Sequence, residues 1–188
     1  MAVRPILITG DPVLHTPALE VADIDDDLRM LVRDMEDTMQ AAPGVGLAAP
    51  QVGVGLRVFV WNWTDGDDVQ HRGTAINPEL WISPPPVGDP DDEAESEGCL
   101  SIPGERFALR RSELAVLRAT DLDGQGFKVE ASGWLARIFQ HEFDHLDGVL
   151  YADRLIEPLH KAALKVARKR GWGTPGQSWM PGEDHLED

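Results

Sequence analysis

The chain has 188 residues, 17 Lys+Arg against 33 Asp+Glu, and a net charge of −16. That length builds one core without covalent staples, and the single cysteine, Cys99, excludes an intrachain disulfide framework. So acidic a surface repels nucleic acid and anionic membranes on average, which sets DNA aside as a partner, and no apolar run approaches the roughly 18 residues of a membrane span. Pro5, Pro12 and Pro17 make the first 20 residues an irregular arm. Leu28, Leu31, Val32, Met35 and Met39 recur at i, i+3, i+4 spacing and predict a helix over 24–40, capped by Asp25 or Asp26 and stopped by Pro43-Gly44. Residues 56–61 and 74–76 have strand composition, the second ending before Pro78. Residues 84–97 open with three prolines and close on a run of acids, and read as a solvated loop. Strands over 113–120 and 127–131 are joined by a turn at 121–124. A helix from about 133 to 147 stops at Gly148, and another from Pro158 to Arg170 stops at Gly171. The tail from Trp172 lies on the surface or packs back by its tryptophans.

The strongest chemical signal is His141-Glu142-Phe143-Asp144-His145, inside the second predicted helix. Residues i and i+4 share one helix face, about 5–6 Å apart. Two imidazoles so placed can grip one metal ion, and the glutamate between them can take a proton from a water that the ion activates. Trp134, Leu135, Ile138, Phe139 and Leu146 would bury this helix, and buried histidines need partners. Asp144 faces elsewhere and is given a supporting hydrogen bond.

A catalytic site takes three protein ligands and keeps one position open. Gly148 follows as in metzincins, but Tyr151 stands where that pattern needs its third histidine. Glu157, against Pro158, and Glu183, in the tail, lie on no second ligand helix. Cys99, in Glu97-Gly98-Cys99-Leu100-Ser101, remains. A lone cysteine is more often an inert core residue; the ligand-spaced histidines are what favour it here. Residues 44–51, Gly-Val-Gly-Leu-Ala-Ala-Pro-Gln, lack the spacing and the lysine of a phosphate loop. They read as a tight turn entering a strand, with small residues that let a ligand come close and Gln51 as an amide donor for a developing oxyanion.

The segments 44–51, 97–101 and 140–148 occur in the order seen in peptide deformylases, and the chain resembles that family from Asp11 to about Leu155. The resemblance implies removal of the formyl group from the N-terminal formylmethionine of nascent polypeptides, with release of formate. It implies Cys99, His141 and His145 as metal ligands, and Glu142 as general base and then acid. Gln51 and the backbone N–H of Leu100 would hold the carbonyl oxygen. It favours Fe(II) in the cell, while thiolate and imidazole donors by themselves also suit zinc, nickel or cobalt. Val45, Trp134 and Ile138 are candidate walls of a pocket for the methionine side chain. An extended peptide could pair with Val45-Gly46 on one side and Gly98 on the other; Arg106 either helps there or pairs with Glu97.

The helix over 158–170 holds Lys161, Lys165, Arg168, Lys169 and Arg170 and no acid. Its cations suit the C-terminal end of the helix dipole, and the resemblance also allows contact with the ribosome. Leu159, Ala162, Ala163, Leu164, Val166 and Ala167 give it a face to dock. The first residues turn polar too soon for a secretory signal, so the expected location is cytoplasmic. Two other functions stand beside deformylation. A metalloendopeptidase is disfavoured by Tyr151 and by a cysteine ligand, and a non-catalytic metal or ribosome-binding module by Glu142 and an open coordination position. The fold expected is α+β, short antiparallel strands packed around a central metal-bearing helix, with flanking N- and C-terminal helices. It forms one domain over 1–188, with a core to 171 and a tail over 172–188.

Overall fold

The computed structural model describes residues 2–186. In chain order the elements are β1 (Ile6–Leu7), α1 (Asp26–Ala41), β2 (Gly46–Ala48), β3 (Val58–Thr64), β4 (Gln70–Ile82), β5 (Ser96–Cys99), β6 (Ile102–Ala108), β7 (Leu114–Thr120), β8 (Gly126–Ser132), α2 (Gly133–Leu146), α3 (Leu159–Arg170) and β9 (Ser178–Trp179). Five strands form an antiparallel sheet in the order β2-β3-β4-β7-β8. The hairpin β5–β6 and the pair β1–β9 stand apart from it.

Alternation along β3 explains the layering. Successive side chains of a strand face opposite sides. Val58 and Val60 join α1 residues Leu28, Leu31, Val32, Met35 and Met39 in one core. Phe59 and Trp61 join α2 residues Leu135, Ile138 and Phe139 in another. The Phe139 ring meets Trp61 edge-on, with centroids 5.2 Å apart. A third cluster, with Leu14, Cys99, Ile102, Leu109, Leu150 and Tyr151, lies under the β5–β6 hairpin. Asp25 caps α1 by accepting from Leu28 N at 2.9 Å, and Asp26 and Asp27 suit its first turn.

Several local expectations change. The strand over 74–76 does not stop before Pro78. It is part of the 13-residue β4, whose register shifts between Ile76 and Glu79. Asn77 sits there at φ 48°, and its side chain accepts from Val21 N and donates to Val21 O at 2.8 and 2.9 Å. A bulge is where a strand tolerates a proline, because no ladder donor is needed. Strands β2, β5 and β6 had no counterpart in the sequence reading as strands. Pro158 is the N-cap of α3, not its first residue. The docking face of α3 is narrower than its apolar residues suggest: Ala163 is buried and Leu159 packs on the third cluster, while Ala162 and Leu164 are exposed.

Candidate active site

Helix α2 is buried on nearly every side, and Gln140 pins it lengthwise. The Gln140 side chain accepts from Ser112 N at 3.0 Å and donates to Ser112 O and Ala136 O at 2.9 Å. His141 and His145, one turn apart, have ring centroids separated by 5.0 Å. Cys99 ends β5 with its Sγ 3.3 Å from His145 Nε2. One ligand atom each from Cys99, His141 and His145 lies within 4.8 Å of the others. A thiolate and two imidazoles suit a first-row divalent ion, and three ligands leave a coordination position open. Tyr151 is no ligand. Its ring stacks near His141 at 6.1 Å, and its hydroxyl donates to Glu105 O at 3.1 Å. Glu157 is tied to Lys161 at 3.5 Å.

Charged side chains hold this cluster from behind. His141 Nδ1 lies 2.7 Å from Glu97 Oε1, which puts the proton on Nδ1 and leaves the Nε2 lone pair for a metal. Glu97 is itself fixed by Arg111 at 2.6 and 3.1 Å and by Arg137 at 2.9 Å. Arg111 continues to Asp144 at 2.6 Å, and Arg154 covers Asp144 with bonds of 2.7 and 2.5 Å. Burial opposes the charge on Glu97, but Arg111 and His141 outweigh it and hold the carboxyl well below the usual carboxylate range. The solvated reading of 84–97 therefore fails at its end: Glu97 is 3% exposed because three partners converge on it. Glu95 is likewise bound by Arg110. Arg106 does not pair with Glu97, whose oxygens are taken; its Nη2 donates to Ser96 O at 2.9 Å.

Glu142 is treated differently. Burial pushes its carboxyl up to about 7, and its Oε2 has no hydrogen-bond partner among the described residues. Against it lies β2. A Cβ on Gly46 would collide with the Glu142 carboxylate, so the strand approaches this closely only as glycine. The small residues of 44–51 predict room for a ligand; at Gly46 that room is taken by the Glu142 side chain. Gln51, 1% exposed, accepts from Ala48 N at 2.8 Å through Oε1. Its Nε2 lies 3.4 Å from Ser101 Oγ and 3.8 Å from Cys99 Sγ.

A cleft of about 560 Å³ opens over these groups, lined by Val45, Gly46, Gln51, Gly98, Cys99, Leu100, Arg106, Trp134, Ile138, His141 and Glu142. Of the site residues expected from sequence, His145 alone is outside the lining. It is 1% exposed and reaches the cluster from beneath through Nε2.

The polypeptide deformylase family model matches residues 3–161. The chain is 48% identical over 185 residues to peptide deformylase 2 of Corynebacterium efficiens, across 98% of this chain and 96% of that one. It is 49% identical over 190 residues to the peptide deformylase of Mycolicibacterium smegmatis, across 97% and 96%. The chain belongs to the polypeptide deformylase family. Its fold is that of solved deformylases: the crystal structure from Ehrlichia chaffeensis matches with a TM-score of 0.77 at 32% identity, over 90% of this chain and 97% of that one. A Legionella pneumophila deformylase matches at 0.75 and 37%, over 90% and 96%. As a deformylase it is a metal-dependent hydrolase that removes the formyl group from the N-terminal formylmethionine of nascent polypeptides.

Sequence reasoning missed Glu97 as the partner of the deformylase's His141, though its place two residues before Cys99 was a usable signal. It also missed Arg111, for which a second arginine beside Arg110 gave no cue.

Proposed function

We propose that Glu142 carries the proton traffic of deformylation, with Cys99, His141 and His145 holding the ion. When bound, that ion supplies Lewis acidity, polarising the formyl carbonyl and lowering the pKa of water. The water oxygen attacks the formyl carbon as Glu142 takes its proton. Gln51 Nε2 and the Leu100 N–H donate to the carbonyl oxygen as it becomes negative, and one such donor is typically worth about 3–4 kcal/mol. Glu142 then gives the proton to the leaving amine nitrogen, the C–N bond breaks, and formate and a free amino terminus result. A carboxyl pushed up to about 7 by burial holds a proton readily, and a cation beside it draws it back toward the charged form. The observation that carries this reading is that Glu142 lines one cleft with Cys99 and His141, two members of the candidate ligand cluster.

Val45, Trp134 and Ile138 line that cleft and form the pocket for an unbranched methionine side chain. Ile138 belongs to the core cluster of α2, Trp134 packs against it, and Arg137 lies 5.3 Å over the Trp134 ring. The rest of the peptide is read by its backbone. Strand β2 is an edge of the five-stranded sheet and β5 pairs only with β6, so Val45-Gly46 and Gly98 offer edges to an extended chain. Arg106 stands beside Gly98 on the same rim.

Fe(II) is the ion assigned in the cell, on family membership and the thiolate donor, with zinc, nickel or cobalt able to replace it in purified protein. The exposed cations of α3 make contact with ribosomal RNA beside emerging chains. Among the described residues no helix is long and apolar enough to cross a membrane; the cytoplasm is the location we assign to an enzyme acting on nascent chains. We read 1–188 as one domain, since β9 of the tail pairs with β1. Formyl-Met, acetyl-Met and free Met peptides, assayed with metal analysis of protein purified without oxygen, test the reading. Formate release from the first peptide alone is expected, with activity lost in air for the iron form and far less for the zinc form. Cleavage of an internal peptide bond would instead mark an endopeptidase.

A further inference from the structure

Leu100 and Ser101 form the two-residue turn between β5 and β6. A buried carbonyl outside the strand ladder needs a donor from elsewhere, and here the donors come from the two ends of the chain. Trp179 Nε1 donates to Leu100 O at 2.8 Å, and Thr9 N donates to Ser101 O at 2.9 Å. The arm and the tail are locked together. Ile6 pairs with Trp179 and Leu7 with Ser178, Ile8 N donates to Gln177 O at 2.9 Å, and Gly173 N donates to Thr9 O at 3.1 Å. At Gly10, φ 103°, a Cβ would overlap the backbone of Gly173. Trp179 is 1% exposed and heads the fully buried side chains by size. It sits in the α1 core, where an indole N–H without an acceptor would be costly. It lies beyond residue 161, where the family-model match ends.

We infer that Trp179 is a positioning residue for deformylation: its indole N–H fixes the Leu100 carbonyl and, with Thr9, sets the turn that presents the Leu100 N–H next to Cys99. The inference rests on the proposed role of that N–H at the reacting oxygen. A donor displaced by a fraction of an ångström weakens the transition state and leaves ground-state binding alone.

Trp179→Phe keeps a buried aromatic ring and drops the donor. With a formyl-Met tripeptide, kcat is expected to fall about tenfold, the order of one lost hydrogen bond with its alignment. KM, affinity for the deformylated tripeptide and metal stoichiometry stay as in the parent chain, while Tm falls, because a fully buried indole is truncated and Leu100 O loses its donor. Benzothienylalanine at 179, introduced by amber suppression, keeps the bicyclic shape and replaces the N–H with sulfur. It gives the same kcat loss and decides the matter if the phenylalanine variant melts early. Unchanged kcat in both variants overturns the inference, and so does a kcat loss that comes with lost metal or that the benzothienylalanine variant does not share. Either result leaves the deformylase reading standing, because that reading fails only if the parent chain itself releases no formate.

Discussion

The two sides of α2 treat buried charge in opposite ways. Behind the ligands, Glu97, Arg111, Arg137, Asp144 and Arg154 interlock, each carboxylate oxygen facing a cation or an imidazole. In front, Glu142 Oε2 is buried with no hydrogen-bond partner among the described residues. An ion pair with every partner in place is architecture, since removing one member leaves the others stranded. A carboxyl oxygen left open over a cleft is free to accept a proton from something that enters it. Glu97 is thus held to its charge, while the role proposed for Glu142 needs its charge to change.

Changing the open side should have the larger effect on turnover. Glu142→Gln retains the metal but lowers kcat by about 10²–10⁴-fold, the range of a lost general base; substantial remaining turnover with metal in place would remove Glu142 from that role. Gly46→Ala places a methyl group where the carboxylate lies. A loss of about 10²-fold in kcat is expected from displacing Glu142, with Tm close to that of the parent, and unaltered kcat would show that the contact is slack.

Changing the closed side should act on stability. Arg111→Met strands Glu97 and Asp144 and should cost about 3–5 kcal/mol in urea unfolding, with the surviving folded, metal-loaded fraction still active. Two buried carboxylates, one of them in this network, set the acid limit. Glu97 and Asp34 are buried, which opposes their charge, yet Arg111 with His141 holds the first, and Arg4 with Ala2 N the second, below the ordinary range. Their stabilisation is complete above the unfolded carboxyl pKa of about 4. It is lost as pH falls through the lower folded values. Circular dichroism against pH should show this, with the Glu97 share missing in Arg111→Met. The smallest expected effect on chemistry is at α3. Lys165→Glu, Arg168→Glu and Lys169→Glu together should weaken co-sedimentation with ribosomes and leave small-peptide turnover intact; undiminished sedimentation would remove the ribosome contact.

This division was only half legible in the sequence. The histidine pair at i, i+4 and the periodic faces of α1 and α2 were readable because helical spacing repeats over many residues. Cys99 and Gln51 came from short segments whose residue types have few other uses together. Strands β2 (Gly-Leu-Ala) and β5 (Ser-Glu-Gly-Cys) were not readable, since three or four such residues lack both a recognisable alternation and β-branched bulk. Pro78 misled because a bulge is a tertiary event, set by Asn77 gripping Val21. The arginine network was hidden for the same reason: Glu97, Arg111, Asp144 and Arg154 meet only once the hairpin folds onto α2.

The pairing of Ile6 with Trp179 has a consequence for how this enzyme comes into being. Strand β1 must wait for β9, which is made only after α3, and closing so long a loop is entropically slow. An enzyme that trims the beginnings of other proteins during their synthesis therefore completes its own framework only after every other strand and helix of it has been made.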